Sequence, residues 1–189
     1  MLSPRRQAGA AVLGVACVLA GSCLLVAGGA FPAQIDQQGI YLRVPFRRQV
    51  DRLCGTASLA MVLQYWGRPT DQERLAQAVP TAAAAGLTGE NLRELARQQG
   101  FFAEALAADP GFLRRQLTAG RPLILLLDAK FPGQTGHYVV VVGWNASRRQ
   151  WLVHDPMLGP YRQVSDEGMQ RRWGSTRGWA LLIVPKERR

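Results

Sequence analysis

The chain has 189 residues, 48% of them hydrophobic and 19% charged, which excludes a low-hydrophobicity disordered chain and leaves room for one ordinary domain. A formal charge of +10 invites a nucleic-acid partner. However, the pairs Arg47-Arg48, Arg114-Arg115, Arg148-Arg149, Arg171-Arg172 and Arg188-Arg189 are scattered, and no zinc, helix-turn-helix or RRM signature accompanies them, so no nucleic-acid binding is expected. Three cysteines exclude a fully paired disulfide framework.

Arg5 and Arg6 precede an apolar stretch from Ala8 to Phe31. Its 24 residues exceed the roughly 7–15 of a secretory h-region and suffice for the roughly 20 of a membrane-crossing helix. An uncleaved anchor fits the length, and a cleaved signal fits Gly28, Gly29 and Ala30. Lipidation at Cys23 would need a better-placed Leu19. All three readings put residues 1–33 in a signal or anchor segment and residues 34–189 in one domain. The basic flank stays inside under the positive-inside rule, so the domain is expected to be exported, periplasmic or extracytoplasmic. The N-terminal segment is a possible membrane partner.

Tyr41 to Phe46 reads as a short strand. From Cys54 to Trp66 the period changes: Leu59, Val62, Leu63 and Trp66 share one face of a helix, and Gly67 stops it. Thr70 and Glu73 have the capping-box spacing for a second helix that ends by Pro80. Another helix follows Thr88, with Leu92, Leu95 and Ala96 on one side and Gly100 at its end. Asp109-Pro110 opens one more, closed by Gly120. The alanine run Ala82 to Ala85 reads as a loop. Beyond Gly120 the signal is for strands: Leu123–Leu127, Tyr138–Trp144, Trp151–Val153, Tyr161–Val164 and Trp179–Val184. Helices first and strands second imply an α+β domain, a helical half packed on an antiparallel sheet.

Two features carry chemistry. Cys54 is the one cysteine beyond the targeting segment, and it lacks the companion ligands of a metal site, so no metal or other cofactor is expected. It begins a helix, where a thiol meets unpaired backbone N–H groups and the positive end of the dipole. Spacing alone leaves an inert buried cysteine equally open. His137 opens the valine-rich strand and Asp155 closes the next. Asn145 to Arg149 form a polar turn between the two. A hairpin centred on Ala146 would set His137 directly opposite Asp155, with side chains on one face. His154 falls on the other face by alternation, where a packing role is expected. Nucleophile, base and a group holding the base are the set that an activated thiol needs. Gln49, just ahead of the helix, is the candidate oxyanion donor together with the Cys54 N–H. Arg47 and Arg48 beside Gln49, Gly55 after the cysteine and Gly136 before the histidine are the candidate substrate-binding residues.

The combination of Val44-Pro45-Phe46, Gln49, Cys54-Gly55, Ala57, Leu59 to Leu63, Gly67, Gly136-His137-Tyr138-Val139-Val140 and Asp155-Pro156 resembles the peptidase C39 family, over about Val44 to Val184. The resemblance implies a papain-like fold and a cysteine peptidase in which Cys54 attacks, His137 transfers protons, Asp155 orients the ring and Gln49 binds the oxyanion. Its partner would be a peptide or protein substrate. Thr56 departs from the family, which usually has proline there, and this changes helix-start rigidity rather than chemistry. The best-known members cleave leader peptides after paired glycines and are fused to transporters. This sequence shows no ATP-binding motif, so the resemblance is carried only as far as a stand-alone, exported C39-like protein. A non-catalytic papain-like peptide-binding module and a thiol acyltransferase are the alternatives to hydrolysis. The oligomeric state is not readable.

Overall fold

The computed structural model describes residues 34–36, 39–79, 87–129 and 136–186. The expected signal or anchor segment at 1–33 and the alanine run Ala82–Ala85 lie outside the described residues. Among the described residues no helix is long and apolar enough to cross a membrane.

The elements in chain order are β1 (Gln34–Asp36), β2 (Gly39–Tyr41), α1 (Cys54–Tyr65), α2 (Gln72–Gln77), α3 (Gly89–Gln98), β3 (Phe101–Ala107), α4 (Pro110–Thr118), β4 (Leu123–Leu127), β5 (His137–Asn145), β6 (Gln150–Asp155), β7 (Gly159–Ser165), α5 (Asp166–Gly174) and β8 (Trp179–Pro185). The eight strands form one sheet, and every pairing is antiparallel. β5 is its centre, pairing with β2, β4 and β6, and all of its residues are buried. α1 packs against β5 and β4, so the cysteine-bearing helix and the histidine-bearing strand share the core.

The packing of α1 differs from the one-faced pattern of its large residues. Every residue from Gly55 to Leu63 is buried, whereas Trp66 is only partly so and donates its indole N–H to the Ile183 carbonyl at 3.0 Å. A helix buried on all sides is the centre of a core. Gly55, Ala57, Ser58 and Ala60 occupy little volume there.

Four expectations need correction. The strand expected over Tyr41 to Phe46 ends at Tyr41. Leu42 adds one bond, its N–H to the Val142 carbonyl at 2.8 Å, and Pro45 has no N–H to extend a ladder. The capping box at Thr70 does not form: Asp71 is the N-cap of α2, with no side-chain cap bond, and the Thr70 hydroxyl turns to the Arg68 carbonyl. Sheet formation does not wait for Gly120, because β3 lies between α3 and α4 and pairs with β8 along its whole length, from Phe101↔Pro185 to Ala107↔Trp179. Finally, α5 interrupts the strand half. By contrast, Thr88 and Asn91 form a reciprocal capping box on α3, whose buried face is Leu92, Leu95 and Ala96. Asp109 accepts the Phe112 N–H at 2.7 Å to cap α4.

Candidate active site

Cys54 is the first residue of α1 and is partly buried. The N-cap is Leu53, which offers no side-chain oxygen, so the first-turn N–H groups have no partner within the helix. His137 is the first residue of β5 and is only 5% exposed. Its Nε2 lies 2.7 Å from Asp155 Oδ1, and Cys54 is near enough to act on the protonation of the ring. The structure therefore brings Cys54, His137 and Asp155 into one chain of contacts, with the imidazole in the middle.

The meeting of His137 and Asp155 is not the directly opposed pair expected. The ladder runs Asn145↔Gln150, Trp144↔Trp151 and Gly143↔Leu152. It then shifts by a residue at a β-bulge and continues as Val141↔Val153 and Val140↔His154. The hairpin is centred past Ala146, and His137 lies diagonally beyond its expected opposite number. Two residues of offset preserve the face, and diagonal neighbours remain within reach of long side chains. Parity was enough to unite the pair; the register was not.

Asp155 is 3% exposed. Its Oδ1 also accepts the N–H groups of Met157 and Leu158, at 3.0 and 3.1 Å. Burial pushes this carboxyl upward, but the bond and charge of His137 and the two backbone N–H groups outweigh it and hold Asp155 below the usual carboxylate range. Burial alone would depress His137; the bonds and charges of Asp155 and Cys54 outweigh it and push the imidazole up to about 9. The cluster thus favours a protonated ring beside an ionised carboxylate.

His154, adjacent in sequence, is turned away and wholly buried. Its Nδ1 accepts the Tyr161 N–H at 3.1 Å while Nε2 donates to the Val44 carbonyl at 2.8 Å. Only a neutral ring can do both, and burial lowers its pKa accordingly.

Gln49 stands on the loop before α1. Its N–H donates to the Pro156 carbonyl at 2.9 Å, so the loop adjoins the turn after Asp155. Its side-chain Nε2 donates to the Asp51 carbonyl, and its buried Oε1 has no hydrogen-bond partner. Arg48 Nη1 donates to the Met157 carbonyl at 2.9 Å. Arg47 instead faces the helices, with Nε donating to Gln64 Oε1 at 3.1 Å and Nη1 lying 3.7 Å from Asp71. Gly55 is buried, and a Cβ there would sit 3.3 Å from the Tyr138 ring and 3.4 Å from Leu92. It is a spacer that lets α1 close on the residue after His137. Gly136 is half-buried, and a Cβ there would lie 2.7 Å from the end of the Leu126 side chain. Among the described residues no cluster suits a metal ion. Gln72, which sequence reasoning did not single out, also belongs to this neighbourhood. Its side chain binds the loop around Gln49, and no local spacing signals a contact over more than twenty residues.

A buried helix with cysteine at its start, laid on an antiparallel sheet that supplies histidine and aspartate, defines a papain-like α+β domain. The model of the Peptidase_C39 like family matches residues 41–181, and the chain belongs to that family. Solved structures similar to it include a double glycine motif protease from an AMS/PCAT transporter in complex with the leader peptide. That match has 25% identity and a TM-score of 0.64, and it covers 80% of this chain and 100% of that one. A C39-like protein from Bacillus anthracis shares 21% identity with a TM-score of 0.68, over 80% of this chain and 100% of its own. The peptidase domain of Streptococcus ComA, a bi-functional ABC transporter involved in a quorum sensing pathway, shares 23% identity with a TM-score of 0.63, over 76% and 100%. No curated protein sequence matches the chain.

Proposed function

We propose that this protein is an exported cysteine peptidase that hydrolyses a peptide bond at the cell envelope. The observation that carries the reading is the placement of one buried imidazole between a carboxylate at 2.7 Å and the thiol at a helix start. With Nε2 engaged by Asp155, Nδ1 is the nitrogen that carries the proton given up by Cys54, so the protonated ring is the state from which the sulfur attacks. The sulfur attacks the scissile carbonyl carbon and the carbonyl oxygen gains the charge. The Cys54 N–H and the second Nε2 hydrogen of Gln49, beyond the one given to Asp51, are the donors for that oxyanion. His137 then returns the proton to the leaving amine as the C–N bond breaks. Water hydrolyses the thioester, losing its proton to His137, and Cys54 leaves as the thiol. Export is supported by Arg5 and Arg6 ahead of the apolar stretch Ala8–Phe31. Family membership supports a peptide as substrate, in keeping with the leader peptide bound to the transporter protease.

The test compares wild type with Cys54→Ala on an internally quenched peptide library, with iodoacetamide labelling of both. Wild type is expected to cleave, to label at Cys54 faster than free cysteine, and to yield products heavier by one water in total. Cys54→Ala should do neither. Equal peptide binding by both proteins without any product refutes the peptidase reading and leaves a binding module. A product joined to an added amine identifies acyl transfer.

A further inference from the structure

We infer that Gln72 is a positioning residue for the oxyanion-binding loop, an inference that rests on the peptidase reading above. Gln72 opens α2 and is 6% exposed, an unusual place for a long amide side chain. Both ends of its amide are engaged, and both reach the same short segment of chain. Oε1 accepts the Val50 N–H at 3.1 Å, and Nε2 donates to the Arg48 carbonyl at 2.9 Å. The two backbone groups belong to the residues on either side of Gln49. The side chain thus acts as a one-residue strand, closing a ring around the segment that carries the Gln49 amide.

The other side of the segment is held independently. The Gln49 N–H goes to the Pro156 carbonyl and Arg48 Nη1 to the Met157 carbonyl, both in the turn that Asp155 organises. Leu53 then bonds back to the Val50 carbonyl at 3.0 Å, with Asp51 at φ 46° inside that turn. A left-handed backbone is unfavourable for a non-glycine residue and is kept where its surroundings impose it. Gln72 supplies that constraint at Val50, one residue from Asp51. Asp51 in turn presents the carbonyl that receives the Gln49 side chain. The path from Gln72 to the oxyanion is therefore short: amide to Val50 and Arg48, backbone to Gln49 and Asp51, side chain to the developing charge.

An oxyanion donor acts on the transition state rather than on bound substrate. Loss of its anchor is therefore expected in kcat and not in KM. Gln72→Met keeps the volume and removes both hydrogen bonds. Wild type, Gln72→Met, Gln49→Ala and the double variant form a cycle, read with the library peptide that wild type cleaves fastest. Gln72→Met should lower kcat by about 10- to 100-fold, less than outright removal of a donor, which costs about 10²–10³. KM should stay within about twofold, and the rate of Cys54 alkylation should be unchanged. In the Gln49→Ala background the same change should cost less than about twofold. Additive losses in the cycle, or a rise in KM with kcat unchanged, overturn the inference. If wild type cleaves no peptide, the peptidase reading fails, and amide hydrogen exchange decides the loop. Faster exchange at Val50 in Gln72→Met then upholds the anchoring, and unchanged exchange refutes it.

Discussion

Replacing Asp155 with asparagine isolates charge from geometry. In Asp155→Asn the side-chain amide oxygen can still accept the Met157 and Leu158 N–H groups, which lie at 3.0 and 3.1 Å in the native protein, and the His137 N–H, which lies at 2.7 Å. Only the negative charge is lost. His137 stands at about 9, against 6.5 for an ordinary imidazole. That difference of about 2.5 pH units is worth about 3 kcal/mol of preference for the protonated ring. The bond to Asp155 is the first cause on the raising side, ahead of Cys54, while burial opposes both. In Asp155→Asn the imidazole is therefore expected to titrate near or below 6.5. The sign of the linkage follows from the same shift. A folded-state pKa above the unfolded value stabilises fully below about pH 6.5 and is lost as pH rises through about 9. The depressed Asp155 carboxyl stabilises above its ordinary pKa of 3.8 and loses that contribution as pH falls through its folded value. Wild type should thus exceed the variant by about 3 kcal/mol near pH 6, with the gap closing toward pH 10. Two assays read this: NMR titration of the His137 ring Cε1–H, and urea unfolding of both proteins at pH 6 and pH 10. A ring that still titrates above about 8 in the variant refutes the reasoning, as does a stability gap that does not change with pH.

Two further predictions concern the scaffold. His154 is held neutral by its two backbone partners, with its pKa below 6.5, so the unfolded chain takes up this proton first and the His154 contribution to stability falls as pH drops below about 6.5. His154→Leu should be less stable at pH 7, having left the Val44 carbonyl and Tyr161 N–H unpaired, and should lose that part of the acid dependence; unfolding curves at pH 5 and 7 that remain as far apart as in wild type refute it. Gly178 has φ 66°, with Ala108 O 2.5 Å from where a Cβ would stand, whereas Gly67 has φ 79° and open space around it. Gly67→Ala should cost about 1 kcal/mol from backbone strain alone, and Gly178→Ala clearly more; equal shifts in midpoint by thermal or urea unfolding would contradict the steric reading.

The parts of this fold that could be read from the sequence are those specified locally. Thr88 and Asp109 cap α3 and α4 where their spacing places them. The apolar runs at Leu123 and Trp179 are strands, and Cys54 begins its helix. Local signals also mark α5 and β3. Acidic Asp166 and Glu167 stand in the first turn of α5, and basic Arg171 and Arg172 in the last, the pattern the helix dipole favours. In β3, buried Phe101 and Ala103 alternate with exposed Phe102 and Glu104, a strand period hidden by its alanine content. What no local pattern contains is register and long-range satisfaction. Continued from the turn, the register of Gly143↔Leu152 would leave His137 and Asp155 on opposite faces; the bulge between Val141 and Gly143 shifts it by one residue and brings them to the same face. Gln72 reads as one more polar residue at a helix start until the Val50 and Arg48 backbone is brought to it.

Asp155 Oδ1 serves two masters with one atom: it ties the Met157 and Leu158 amides into a turn and it receives the ring of His137. The carbonyls that anchor the Gln49 loop, Pro156 and Met157, belong to that same turn. Local opening of residues 155–158 would thus free the His137 ring and one side of the Gln49 loop together, leaving the two Gln72 hydrogen bonds as the anchor on the other side.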